Sequence, residues 1–257
     1  MFKHIVKNKT VCVFVSPHHD DAILSCGGLI SYLSKRTKVI VINVFTDGGD
    51  NPYSLSAKKF LELNNYKDAK KLFKARRTED SKVFGSININ PVNLGFLTGL
   101  FRKKENPTFL ERILGKLLPE LLCIYPTFYL HLKKGKIAKE DQELLIKLHR
   151  KLKEIIKSES LVFCPLGVGN HTDHIVVREV CSNNFSKVVY WTDFPYSLDC
   201  VPDKNFVAEK KLKKIKFNNN WFQKLTLIKG YKTQMKTLFP NGKIPKVKEI
   251  YYAKIRS

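Results

Sequence analysis

The sequence predicts an α/β fold in which helices cover both faces of one doubly wound, mostly parallel β-sheet. Short, predominantly apolar segments at residues 11–15, 39–45 and 161–164 alternate with helical patterns. Strands that are apolar on both faces are typical of parallel sheets enclosed by helices. The chain shows no internal repeat and no linker-like stretch, which favours a single domain over residues 1–257.

The elements follow one another in the order that this fold requires. A polar loop and a helix at 21–34 separate the first two strands, and a helical pattern over 56–84 breaks at Asn64-Asn65. The segment at about 100–140 matches no simple pattern, and we interpret it as an insertion. The other predicted elements are strands at 87–94, 188–191 and 247–255 and helices at 108–118, 140–157, 171–181 and 221–237.

The net charge of the chain limits the classes of partner that it can attract. The chain has 46 lysines and arginines against 23 acidic residues, a formal net charge of +23 that attracts nucleic acid, anionic lipid or phosphorylated sugars. Nucleic-acid binding is the less favoured alternative, because the sequence has no recognised nucleic-acid motif and no glycine-rich phosphate loop. Lysines cluster at 133–136, 147–157 and 210–216, the last two at roughly helical spacing. Solvated helix faces are the simplest interpretation, and contact with an acidic partner is the alternative.

The cysteines and apolar segments indicate the compartment. Six cysteines are scattered without a C-x-x-C pair, as expected of reduced core residues. The first residues lack the apolar core of a signal peptide, and the longest apolar segment, 117–132, is interrupted by Pro119, Glu120 and Pro126. We therefore expect a cytoplasmic protein without a membrane span, with peripheral contact to a membrane surface left open. The sequence does not indicate an oligomeric state.

Two loops concentrate imidazoles and carboxylates. S-P-H-H-D-D begins at Ser16, directly after the first strand, and G-N-H-T-D-H begins at Gly169, after the strand at 161–164. Ligands of doubly wound sheets bind outside the carboxyl ends of the strands. Two histidines and one carboxylate suit zinc and leave a position open. Each loop alone could be structural, with acids capping a helix and histidines on a surface. Their joint occurrence favours a metal site.

The same residues resemble a known family. S-P-H-H-D-D-A from Ser16 and H-T-D-H from His171 are similar to the two metal motifs of the PIG-L/LmbE family of metal-dependent N-acetylglucosamine de-N-acetylases. Supporting similarities begin at Arg76 (R-R-T-E-D), Asp193 (D-F-P-Y) and Tyr231 (Y-K-T-Q). Together these segments span roughly residues 10–100 and 160–235. The resemblance implies a Rossmann-like domain with a family-variable insertion.

The resemblance also implies a zinc-dependent hydrolase that releases acetate from an N-acetylglucosamine-type sugar, either free, phosphorylated, nucleotide-linked or lipid-linked. The alternative within this chemistry is a metal-dependent amidase acting on a non-sugar amide. The implied roles are zinc binding by His18, Asp21 and His174, general-base catalysis by Asp20, stabilisation of the oxyanion by a protonated His171, and orientation of His171 by Asp173.

Contacts to the substrate are less well defined. The guanidinium groups of Arg76 and Arg77 suit phosphate or sugar hydroxyls, although surface arginines are equally expected. Tyr196 could stack on a sugar ring or lie in the core, and Asp47 could contact substrate or form a turn. His19 stands where the family usually has proline, and so adds an imidazole able to contact metal or substrate.

Overall fold

The computed structural model describes residues 1–218 and 220–254, and a seven-stranded sheet forms its centre. The strand order is β3-β2-β1-β4-β5-β7-β6, with the first five strands parallel and β7 antiparallel to both neighbours. The predicted doubly wound, mostly parallel sheet is confirmed. The strands are β1 (Cys12–Ser16), β2 (Val39–Asp47), β3 (Val92–Leu97), β4 (Leu161–Pro165), β5 (Val188–Trp191), β6 (Lys213–Phe217) and β7 (Glu249–Ala253).

Helices cover both faces of the sheet, because alternate side chains of each strand enter different apolar cores. In β1, Cys12 and Phe14 pack with α2 and α9, whereas Val13 and Val15 pack with α6 and α7. The helices are α1 (Phe2–Lys7), α2 (Asp21–Ser34), α3 (Leu55–Leu63), α4 (Ala69–Gly85), α5 (Phe109–Leu114), α6 (Gln142–Ile155), α7 (Thr172–Asn184), α8 (Lys204–Glu209), α9 (Trp221–Ile228) and α10 (Lys232–Leu238). Within the described ranges, none is long and apolar enough to cross a membrane.

The chain reverses its direction of winding between β1 and β4. From β1 it proceeds through β2 and β3 to one edge of the sheet, and it then returns to place β4 on the other side of β1. The loops that leave β1 and β4 therefore diverge, which opens a crevice at their carboxyl ends. Both histidine-rich loops lie at this crevice.

Several predicted elements differ from the structure. The strand predicted at 87–94 covers Val92–Leu97. The lysine cluster at 210–216 overlaps the edge strand β6 and forms no helix face; Ile215 and Phe217 pack on the core, whereas the lysines at 213, 214 and 216 are exposed. Lysines on an edge strand hinder pairing with another chain. The helix predicted over 221–237 divides at Gly230, where a Cβ would lie 2.3 Å from Val83 Cγ2. The last strand covers Glu249–Ala253, and position 255 of the prediction lies outside the described residues.

The segment at 100–140 is built from the short helix α5 and several 3-10 turns, so the helix predicted over 108–118 ends early. The segment packs through Leu100, Phe101 and Tyr125 in an apolar cluster with residues of α3 and α4, including Leu61 and Phe73. It therefore covers the side of the crevice next to α3 and α4.

A buried carboxyl group connects α4 to the sheet and to α10. Asp80 is fully buried and accepts hydrogen bonds from Asn43 Nδ2 on β2 (2.6 Å) and from the hydroxyl of Tyr231 before α10 (2.8 Å). Burial raises the pKa of Asp80 to about 8, because the charged form loses its hydration. At neutral pH this carboxyl is mostly protonated.

We predict that Asp80→Asn keeps the fold and flattens the pH dependence of stability. An aspartate titrates at about pH 4 when unfolded, and Asp80 at about 8 when folded. The folded state therefore binds more protons between these values, and wild-type stability falls as pH rises through this window. The amide should reduce that fall by on the order of 1 kcal/mol or more, measured by chemical denaturation at about pH 5 and about pH 8.

The exposed Asp50→Asn is the control and should leave the slope unchanged. If Asp80→Asn shows the full wild-type slope, Asp80 is ionised in the folded protein and this account is wrong.

Candidate metal centre

The two loops bring three ligand atoms together. His18 follows β1, Asp21 is the first residue of α2, and His174 lies in the first turn of α7. Their ligand atoms all lie within 4.8 Å of one another. Asp21 Oδ2 is 3.0 Å from His18 Nδ1 and 3.3 Å from His174 Nε2. The three residues proposed from sequence as metal ligands thus form one cluster, in which Asp21 and His174 are buried and His18 is partly exposed.

Hydrogen bonds of the loop after β1 fix this arrangement. The hydroxyl of Ser16 donates to the carbonyl of His18 (2.6 Å) and accepts from the N–H of Ala22 (3.0 Å). The N–H of His18 donates to Asp21 Oδ2 (2.9 Å). The loop is therefore held in shape without any ligand.

A carboxylate faces the second nitrogen of each histidine. His18 Nε2 lies 3.0 Å from Asp173 Oδ2, and His174 Nδ1 lies 2.7 Å from Asp193 Oδ1. Carboxylate partners of this kind fix the orientation of a metal-binding imidazole and raise its basicity. Sequence reasoning missed Asp193 as a site residue, although its position directly after β5 at the same edge of the sheet was a usable signal.

Asp173 does not orient His171 as expected. Its carboxylate faces His18, accepts from the N–H of Gly99 (2.9 Å) and pairs with Arg102 Nη2 (2.8 Å). Only its main-chain N–H reaches His171, at 3.2 Å from Nδ1. The carboxylate therefore orients the proposed metal ligand His18, and the expected pairing is corrected.

His171 also differs from the expected imidazolium. Burial lowers the pKa of His171 well below its ordinary value, so the ring is neutral at physiological pH. Because Nδ1 accepts the N–H of Asp173, the proton of the neutral ring resides on Nε2. His171 can therefore donate a hydrogen bond without carrying a charge.

The charges of the cluster fit a divalent cation. Burial opposes ionisation of Asp21, but His174 and His18 outweigh it and hold the pKa of this carboxyl well below its usual range. Burial also opposes protonation of His18, yet Asp21 and Asp173 raise its pKa to about 10. In the absence of an ion, the cluster thus draws in a proton to balance its carboxylates. Two imidazoles and one carboxylate are a zinc-type donor set, and an ion would take the place of that proton.

A second set of atoms fits an ion less well. His18, His171 and Asp173 also lie within 4.8 Å of one another. Arg102 already neutralises Asp173, and the Nδ1 of His171 is occupied by a main-chain N–H. We therefore assign the candidate metal centre to His18, Asp21 and His174.

A cleft of about 740 Å³ opens over this centre. Asp20 lines it, and although Asp20 precedes α2 its side chain makes no capping hydrogen bond. Burial, followed by the adjacent Asp21, raises the pKa of Asp20 to about 6. The structural alternative for Asp20, a helix cap, is therefore not what the geometry shows.

Two of the proposed substrate contacts reach the cleft. Arg76 is buried, donates to Asn64 Oδ1 (3.1 Å) and lies over the ring of Phe60 (5.2 Å). The ring of Tyr196 lies 5.8 Å from that of His174. The segment of Arg76 is held by Glu79, which accepts hydrogen bonds from Thr233, so the two supporting sequence motifs contact each other.

Three proposed substrate contacts do not line the cleft. Arg77 is exposed on α4, and Asp47 accepts from the N–H of Gly49 (3.1 Å), as a turn residue does. His19 is 1% exposed, and burial together with Arg76 and Arg77 lowers its pKa to about 3. Its ring is thus a neutral buried group that does not line the cleft, unlike that of its neighbour His18.

Sequence reasoning missed Arg102, a buried residue of the 100–140 segment. Its Nη2 pairs with Asp173 Oδ1 (2.8 Å) and Asp141 Oδ2 (3.0 Å). No local motif marks it, because both partners are distant in sequence.

These features agree with comparisons to known proteins. The model of the PIG-L family, described as GlcNAc-PI de-N-acetylase, matches residues 13–185, and the chain belongs to this family. The resemblance noted in the sequence is therefore confirmed, and it places the chain among N-deacetylases of the hydrolase class. None of the curated proteins compared with the chain matches it.

Solved structures share the fold. Teicoplanin deacetylase Orf2, in its zinc-inhibited form, is 19% identical with a TM-score of 0.70, covering 96% of this chain and 99% of that one. The A40926 pseudoaglycone deacetylase Dbv21 is 18% identical with a TM-score of 0.66, covering 95% and 97%. The hydratase GalB from Pseudomonas putida KT2440 is 12% identical with a TM-score of 0.50, covering 96% and 98%. At such identities the likeness concerns the fold alone.

We predict that Asp193→Asn weakens zinc binding about 10-fold to 100-fold, because the amide no longer raises the basicity of His174. Competition against a chromophoric chelator measures the affinity. Asp199→Asn, an exposed residue of the same loop, is the control. If Asp193→Asn and Asp199→Asn bind zinc with equal affinity, Asp193 does not support the metal centre.

We predict that Arg102→Met destabilises the protein by about 3–5 kcal/mol, because it leaves Asp173 and Asp141 buried without a counter-charge. Urea denaturation measures the change. Arg77→Met, on an exposed position, should change stability by less than about 0.5 kcal/mol. Similar effects of the two substitutions would contradict the role assigned to Arg102.

Proposed function

We propose that this chain is a zinc-dependent hydrolase that removes the acetyl group from an acetamido sugar, yielding a free amine and acetate. One observation carries the proposal: a three-residue metal-type cluster, two of whose members line the cleft, lies beside a carboxyl without a capping role and an imidazole able to donate. Those groups are His18, Asp21 and His174, with Asp20 and His171. Membership of the PIG-L family supports the amide of an N-acetylated sugar as the bond that is cleaved.

Different residues of the site would bind the metal and transfer the proton. His18, Asp21 and His174 would hold the ion, which supplies a Lewis acid and lowers the pKa of water. Asp20 is the base that accepts the proton of the attacking water. When the C–N bond breaks, the same carboxyl returns that proton to the departing amine, so the proton count balances.

His171 and Arg76 complete the site. The Nε2–H of His171 donates to the oxygen of the acetamide carbonyl as negative charge develops on it, a contribution on the order of 3 kcal/mol. Because His171 is neutral, this donation competes little with a bound cation. Arg76 and Tyr196 also line the cleft, which supports contacts of the guanidinium with sugar hydroxyls and of the aromatic ring with the sugar face.

We predict that Asp20→Asn lowers kcat by about 10²-fold to 10⁴-fold while zinc content is unchanged, because the amide cannot accept the proton. Acetate release from a soluble N-acetylglucosamine derivative measures the rate, and metal analysis measures the zinc. His174→Ala should lose both activity and zinc. An Asp20→Asn variant with wild-type kcat, or a wild-type protein that releases no acetate when loaded with zinc, would overturn the proposal.

A further inference from the structure

One segment exposes apolar side chains that the rest of the described chain leaves uncovered. The helix α5 contributes no buried residue. Phe109 is 80% exposed and Leu117 is 89% exposed. Further exposed apolar side chains of the same segment are Leu110, Ile113, Leu114 and Leu118. We refer to residues 109–118 as the apolar segment. So many large apolar groups exposed over ten positions are typical of a surface that meets another apolar phase.

The apolar segment is linked to the start of α3, and the first turn of α3 contributes Ser56 to the cleft. It packs against the turn Pro119–Leu122, whose Glu120 accepts from the N–H of Leu55 at the start of α3 (2.6 Å). The N–H of Phe128 donates to Ser56 Oγ on the same turn of α3 (3.2 Å). The loop after Phe128 lines the cleft with side chains that are themselves exposed, Tyr129 and Leu130. The apolar segment and the rim of the cleft are thus anchored to one helix end.

The stretch of chain that contains the apolar segment is rich in basic residues. Residues 103–139 contain eight lysines and arginines against three acidic residues. One of the three acids, Glu111, pairs with Lys104 at 2.7 Å. Lysines and arginines beside an apolar surface extend their charged ends to a negative headgroup layer while their alkyl chains stay in the apolar zone.

We propose that the apolar segment docks on the surface of an anionic lipid bilayer and so presents the cleft to an acetamido sugar carried on a lipid. This inference rests on the proposed function. A bilayer offers both an apolar interior and negative headgroups, which match the two properties of the surface. A second copy of the chain is a poorer occupant, because each copy carries a net charge of +23 and the two basic margins would repel.

Co-sedimentation of the full chain with lipid vesicles tests the docking. The wild type should bind vesicles of phosphatidylcholine with phosphatidylglycerol, bind vesicles of phosphatidylcholine alone more weakly, and lose affinity as salt screens the charges. The triple variant Phe109→Ser, Leu110→Ser and Leu117→Ser should bind about 10-fold or more less tightly. The control carries Ile146→Ser, Val201→Ser and Phe222→Ser, which are similarly exposed elsewhere, and should bind as the wild type does.

Acetate release separates this inference from the proposed function. On a soluble N-acetylglucosamine derivative, the triple variant should match the wild type, because none of its altered residues lines the cleft. On an N-acetylglucosaminyl lipid in anionic vesicles, it should be about 10-fold or more slower. Vesicle binding without acetate release from either substrate would overturn the proposed function but leave the docking intact.

Acetate release without vesicle binding would overturn the docking alone. So would equal vesicle binding by the triple variant and the control. A wild-type dimer that the triple variant dissociates, with neither protein bound to vesicles, would assign the apolar segment to self-association and overturn the docking.

Discussion

The buried carboxylate of Asp173 connects three parts of the chain that are distant in sequence. It faces the ring of His18 after β1, accepts the N–H of Gly99 after β3, and pairs with Arg102 of the 100–140 segment. A buried carboxylate is stable only when such partners replace its lost hydration. The position of a proposed metal ligand is therefore coupled to the packing of a segment that carries no catalytic motif.

The site concentrates negative charge within a chain that is strongly basic. Carboxylates of Asp21, Asp173 and Asp193 surround the rings of His18 and His174. Their attraction keeps the ring of His18 protonated when no ion is bound. The carboxylates are therefore balanced by positive charge in both cases, from a proton on His18 or from a bound cation. Lysines form no ion pair with these carboxylates among the described residues, although Lys133 lies over the ring of Tyr196 (3.8 Å) and the buried Lys224 pairs with Glu249 (3.0 Å). Most other lysines lie on the outer surface, where their field extends about a Debye length into solution.

The same fold supports different reactions, and the difference lies in the side chains at the crevice. The hydratase GalB and the deacetylases Orf2 and Dbv21 share the fold of this chain at low identity. The reaction must therefore be argued from the cleft, where a metal-type cluster, a carboxyl and a neutral imidazole converge. The apolar segment concerns how a substrate would be delivered, whereas the cleft concerns how it would be cleaved.

Local sequence was sufficient for features that arise within a few residues. The apolar runs at 11–15, 39–45 and 161–164 form largely buried strands, because a strand buried on both faces has few polar positions. His18 and Asp21 were identified because imidazoles and carboxylates cluster in one loop after the first strand, and in the structure Nδ1 of His18 lies 3.0 Å from Oδ2 of Asp21.

Features that join distant residues were settled by packing. Asp193 meets His174 because β5 lies beside β4, and Arg102 meets Asp173 because the 100–140 segment folds over α3 and α4. The neutral state of His171 follows from burial and from a main-chain N–H at Nδ1, neither of which a motif specifies. Charge and protonation depend on what excludes water from a group, and that is a property of the assembled structure.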